Sequence, residues 1–189
     1  MPTKRTMLLG FSIVVVAGCG NSRTPVPSAT QPAAPDGFRT LTRSYAGVRF
    51  SIPRNWTVTG QRAPLVVTVA SGTAVVALWR FARRAPAPAG SRALAGARSR
   101  LVAAARARDR TLHVLGSNLA RIHGASAVEL DAIETIRGRP RRVSSTHLYV
   151  RGAELVLDEY APPDLFAAVD RSVFVPVRRS LALLGAGGA

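Results

Sequence analysis

Apolar and polar positions change their period several times along this chain, and each change marks an element. Lys4 and Arg5 precede eleven mostly apolar residues, Met7 to Ala17, which end on small residues and a cysteine. About 20 apolar residues are needed to cross a bilayer, so this run is too short to span one. Its order, basic then apolar then small, is that of a secretory signal. From Gly20 to Gly37, Pro25, Pro27, Pro32 and Pro35 alternate with small and polar residues. That composition cannot bury enough surface to fold and reads as a linker. Proline-rich chain extends about 3.1 Å per residue, so the tether would reach roughly 50 Å.

A period of two begins at Gly47-Val48-Arg49-Phe50-Ser51-Ile52-Pro53, placing Val48, Phe50 and Ile52 on one face of a strand that Pro53 ends. Trp56 and Val58 are expected to pack back onto the same sheet. Leu65 to Ala70 and Thr73 to Phe81 form two further strands around a Ser71-Gly72 turn. Between Ser91 and Arg108 the period becomes helical. Leu94, Ala97, Leu101, Val102 and Ala105 share a face, Arg92, Arg100 and Arg106 point away, and Ser91 is the expected N-cap. Arg98 and Arg108 fall within or beside the apolar face, their stems lying along it. Gly124, Gly138 and Gly152 then recur every fourteen residues between β-rich segments. Glycine supplies the positive φ of tight turns, so Leu112 to Tyr160 reads as a four-stranded antiparallel meander. Its alternation breaks at Ile133 and Ile136, the expected place of a bulge. Pro162-Pro163 ends the sheet. A short helix capped by Asp164 follows, then a second carrying Phe174, Val177, Leu181 and Leu184, with Pro176 in its first turn.

Two resemblances rest on these residues. Val16-Ala17-Gly18-Cys19 resembles the lipobox of bacterial prolipoproteins. It implies cleavage between Gly18 and Cys19 and a diacylglycerol on the Cys19 sulfur. Gly47 to Pro53 followed by Trp56 resembles the opening of PsbP-like domains, a fold that includes the Mog proteins and the LpqN-type lipoproteins of actinobacteria. The strand and helix order that follows is similar too, over about Phe38 to Leu184. The resemblance implies an α+β fold, a central antiparallel β-sheet flanked by helices, used for binding and assembly. It carries no catalytic residue. The expected boundaries are residues 1–18 for the signal, 19–37 for the lipidated terminus and linker, 38–185 for one globular domain and 186–189 for a frayed tail.

Composition bounds what can hold this domain together and gives it an unusual surface. Cys19 is the only cysteine, so a lipid on it leaves no thiol for an intramolecular disulfide. The formal net charge is +16; without Lys4 and Arg5 the 26 basic residues become 24, which against 10 acids leaves +14. Every base after Arg5 is arginine. Arginine, alanine, glycine and proline share GC-rich codons, so the excess has a genomic reading beside a functional one, an anion-seeking surface. Only Asp109 is acidic between Arg39 and Arg110, whereas eight of the ten acids lie between Glu129 and Asp170. Part of the surface should be strongly positive and attracted to anionic lipid or a wall polymer. An exported protein rarely meets nucleic acid, which is not an expected partner.

Candidate chemistry is sparse. His113, His123 and His147 lack the spacing and the thiols of a zinc site and read as surface or edge histidines. Ser144, Ser145, His147 and Asp158 could be drawn as a nucleophile set, but no G-x-S-x-G elbow surrounds either serine, and a solvent-facing strand explains them. Glu129 and Asp131 share a strand face and are expected to be ion-paired at the surface. No glycine-rich phosphate loop occurs, so no cofactor is expected. Trp79, Arg80, Phe81, Arg83 and Arg84 group apolar and cationic side chains as interfaces do; equally, Trp79 and Phe81 could face a core. The expected function is non-enzymatic: an accessory module contacting another envelope protein while held to the outer face of the membrane through Cys19. The alternative is a carrier of a lipid or small amphiphile between sheet and helix.

Overall fold

This computed structural model describes residues 30–60 and 62–184. Gly18, Cys19, the first part of the expected linker and the tail from 185 onward lie outside them. The N-terminal strands are β1 (Phe38–Arg43), β2 (Val48–Pro53), β3 (Thr57–Gly60), β4 (Leu65–Ser71) and β5 (Ala74–Ala82). Helix α1 (Gly90–Arg108) precedes the meander of β6 (His113–Ile122), β7 (Ala125–Ile136), β8 (Arg139–Val150) and β9 (Ala153–Ala161). The chain closes with α2 (Pro163–Val169), a π-helical turn (Asp170–Phe174), α3 (Val175–Ser180) and the short β10 (Ala182–Leu183).

Seven strands form one antiparallel sheet in the order β3-β4-β5-β9-β8-β7-β6, and β1-β2-β10 form a second. The fold is α+β with a central antiparallel sheet, as the pattern predicts. The meander is as expected because its turns are chemically determined. His123 and Gly124, and likewise Arg137 and Gly138, both take positive φ, as two-residue type I′ hairpins require.

Six expectations are corrected. β2 does not share a sheet with β3; it pairs with β1 and β10, and Trp56 enters the core from the link between the sheets. β7 and β8 stay in register through Ile133↔Arg142 and Ile136↔Arg139; the bulge lies on the neighbouring strand, between Val114 and Gly116 of β6. α1 begins one residue early, at Gly90, with Ala89 at the cap and no side-chain cap bond. The C-terminal helices run on through the π turn, which lies directly before Pro176, a residue with no N–H to give the carbonyl four positions back. Leu181 is not helical: the chain turns extended there, and Ala182 and Leu183 pair with β2. Finally, residues 33–37 are docked on the domain. Ala33 N donates to Ser71 Oγ (2.9 Å), Trp56 Nε1 to the Ala33 carbonyl (3.1 Å) and Asn55 Nδ2 to the Ala34 carbonyl (2.7 Å). The fold therefore begins before Phe38, since side-chain partners satisfy backbone groups that a free linker leaves to water.

Strand parity divides the large sheet into two buried faces. On one, Leu78, Leu148, Leu155 and Leu157 pack against Phe50 and Ile52 of the small sheet and against Phe166, Phe174 and Val177 of the C-terminal helices, forming the main core. Ser180 ties these layers together: its hydroxyl accepts from Ser51 N (2.7 Å) and donates to the Val177 carbonyl (2.8 Å). On the other face, Leu94 and Ala97 of α1 cover Val128 and Tyr149. Here the helix rests on β6 and β7, and the polar strip of β8 and β9 lies beside it.

Candidate functional site

The hairpin of β8 and β9 turns at Arg151-Gly152, and its register follows by counting outward from that turn. It sets Tyr149 opposite Glu154, His147 opposite Val156 and Ser145 opposite Asp158, all on the face that carries α1. β5 lies next, with Trp79 opposite Val156 and Phe81 opposite Glu154. One strip of sheet thus gathers a serine, a histidine, two carboxylates and three aromatic rings.

These side chains form a continuous hydrogen-bonded chain. The Ser145 hydroxyl donates to Asp158 Oδ1 at 2.5 Å and lies 3.1 Å from His147 Nε2. His147 Nδ1 lies 2.7 Å from Glu154 Oε1, a diagonal contact across the hairpin. Arg83, just past β5, donates from Nη1 to Glu154 Oε2 at 2.9 Å and holds its guanidinium 5.0 Å above the Tyr149 ring. Ser145 and His147 are buried, at 7% and 8% exposure. The expectation of a solvent-facing serine and a surface histidine is therefore corrected for these two; His113 and His123 are exposed.

Three contacts link Asp158, Ser145, His147 and Glu154, and the donor at each imidazole nitrogen follows the tautomer of His147. Burial alone would raise the Glu154 carboxyl, but the hydrogen bonds and charges of His147 and Arg83 outweigh that and hold it below the usual range. Burial first, then Glu154, pushes the Tyr149 hydroxyl up. Further along the face, burial, Asp158 and Asp109 lift the Glu134 carboxyl to about 7.

The arrangement has the outline of a nucleophile, base and acid, with the Ser145 hydroxyl bonded to Asp158. β8 is paired on both sides, so its N–H groups beside Ser145 bond across the ladders.

The four residues expected to form one interaction surface are separated. Trp79 is 4% exposed and stacks on Phe81 with centroids 6.3 Å apart. Arg83 is drawn into the Glu154 network, Arg80 is exposed on the opposite face of β5, and Arg84 is exposed in the loop before α1. Glu129 and Asp131 share a face as expected, but the ion pairs among the described residues use Glu154, Glu159 and Asp170 instead. A buried cluster that the sequence reading missed sits on the main-core side. Glu159 is fully buried and bonded to Arg178 Nη1, while Arg178 Nη2 donates to Asp170 at 2.6 Å. Burial raises the Glu159 carboxyl to about 8 against the pull of Arg178. Two open grooves of about 500 and 590 Å³ lie among the described residues, one between α1 and the sheet beside Leu94 and Leu119 and one beside Tyr45.

No protein-family model matches the chain, and no curated protein matches it in sequence. Solved structures do share its fold. The chain is similar to cyanobacterial PsbP (CyanoP) from Synechocystis, with a TM-score of 0.61 at 12% identity, covering 89% of this chain and 98% of that one. It is also similar to LpqN, a protein involved in cell envelope biogenesis of Mycobacterium tuberculosis, with a TM-score of 0.52 at 15% identity over 79% and 86% of the two chains. The fold is PsbP-like.

Proposed function

We propose that this chain is an exported binding module of the cell envelope, anchored through lipid on Cys19 after cleavage behind Gly18, and that it acts by contacts with another envelope protein rather than by catalysis. The observation that carries this reading is the fold shared with LpqN, a protein of envelope biogenesis, in a chain whose residues 4–19 resemble a secretory signal and a lipobox. No helix among the described residues is long and apolar enough to cross a membrane.

The test is photo-crosslinking in native membranes, with the probe placed in turn at the exposed Tyr45 and Leu119, one beside each open groove. The reading expects a discrete adduct with an envelope protein at one position or the other. Adducts with lipid alone, together with lipid that co-purifies in native mass spectrometry, would replace it with the carrier.

A further inference from the structure

The acids of this protein are turned inward. Glu154 is spent on His147 and Arg83, Asp158 on Ser145, Glu159 and Asp170 on Arg178, and Asp109 on Thr111. What remains outside is almost purely cationic: among the described residues seventeen arginines are exposed against two acids, Asp36 and Asp164.

Part of this charge gathers at one end of the large sheet. The row Val75–Tyr160–Val143–Ala132 runs across β5, β9, β8 and β7, and beyond it lie the Gly72 turn, Pro162 and the Arg137-Gly138 turn. α1 also finishes at this end: Asp109, after its last turn, bonds Thr111, and Thr135 N donates to Thr111 Oγ1 at 3.2 Å. Arg106, Arg108 and Arg110 are thereby set beside Arg137 and Arg139, all five exposed. The nearest carboxyl on the strands is Glu134, which burial raises to about 7, so it is about half ionised near neutral pH. The other acids at this end are half-buried Asp109, bonded to Thr111, and exposed Asp164 at the start of α2, so five arginines outnumber the carboxylates there.

The segment leading back toward Cys19 approaches the same end. Ala33 is bonded to Ser71, and a side chain at Gly72 would collide with the backbone of Thr30 and Gln31. Strands lie about 4.8 Å apart, so β5 of that turn is roughly 10 Å from β8 of the arginine turn. A tether on this end would draw these arginines toward whatever surface holds its other end.

We propose that this end of the domain, through Arg106, Arg108, Arg110, Arg137 and Arg139, docks on the anionic phospholipid headgroups of a membrane. The placement of that membrane rests on the lipid-anchor reading; the affinity does not. Each arginine near such a surface strengthens partition by about fivefold, and salt screens the effect.

The chain from residue 19 onward, carrying Cys19→Ser and so no lipid, is sedimented with vesicles of phosphatidylcholine alone or with 30 mol% phosphatidylglycerol. Binding is expected only to the anionic vesicles and is lost in high salt. Arg106→Glu/Arg137→Glu/Arg139→Glu should weaken it by about 100-fold or more. The charge-matched triple Arg84→Glu/Arg121→Glu/Arg151→Glu, at the opposite end, should weaken it far less. Equal binding to both vesicle types, equal loss in the two triples, or binding to soluble polyphosphate without binding to vesicles would each overturn the proposal. Circular dichroism melts confirm that both triples fold. Failure of fatty acid to label Cys19 would instead remove the anchor and leave the vesicle result standing, so the two failures are distinguishable.

Discussion

At the scale of single residues, the most demanding group is Glu159, a carboxyl with no exposed surface and one oxygen, Oε1, without a partner among the described residues. Arg178 makes its burial tolerable. Removing one partner of a buried ion pair costs about 3–5 kcal/mol, because the other charge stays behind unpaired. Arg178→Ala should therefore cost about that much at pH 9 in urea unfolding and clearly less at pH 5, where Glu159 can take a proton. An equal cost at both pH values would contradict this account of the cluster. The sign of the overall pH dependence follows from the same carboxyls. Glu159 and Glu134 titrate near 8 and 7 in the folded chain against about 4.5 unfolded. Between those values the folded state holds protons that the unfolded state has released, so stability falls as pH rises from about 4.5 to 8. Glu134→Gln and Glu159→Gln should each flatten that slope in thermal melts across the range. Glu154 works in the opposite direction: its lowered carboxyl stabilises the fold above its ordinary range, and that contribution is lost as pH falls through the lowered value.

At the scale of elements, the protein divides into what its turns dictate and what its long-range register dictates. Three glycines at positive φ, fourteen residues apart, made the meander legible, because only glycine takes that conformation without strain. The face of α1 was legible for a similar reason: Leu94, Ala97 and Ala105 recur at helical spacing and are buried. The partition into two sheets was not legible. β2 alternates as any half-buried strand does, and nothing local distinguishes a partner fifteen residues away from β10, which lies some 130 residues on. The serine and histidine were visible at i and i+2, but Glu154 was missed. Its contact to His147 is diagonal, and it could have been found only by counting back from the Arg151-Gly152 turn. The N-terminal boundary was misplaced because proline alternation describes a free linker and an extended docked segment equally well. That segment makes hydrogen bonds to Ser71, Asn55 and Trp56, each worth about 1 kcal/mol. A chain starting at residue 38 should accordingly be about 2–3 kcal/mol less stable than one starting at residue 30. Equal stability in denaturant titrations would show that the docking contributes nothing to the fold.

At the scale of the whole molecule, the domain is built without a disulfide and with its carboxylates directed inward, so that packing and a few buried ion pairs hold it while arginine covers the outside. That distribution suits a protein kept near an anionic surface better than one diffusing freely, where +14 would invite non-specific contacts. The PsbP-like fold supplies the rigid part, and in the proposed reading a leader and tether supply the location. Every proposed partner depends on that location, so the most direct measurement is metabolic labelling with a fatty acid, followed by fractionation and protease treatment of intact cells. The account predicts that label enters the protein at Cys19, that Cys19→Ala abolishes it, and that the labelled chain is membrane-bound and open to protease from outside. An unlabelled protein, or one that keeps its leader and remains in the cytosol, would contradict it.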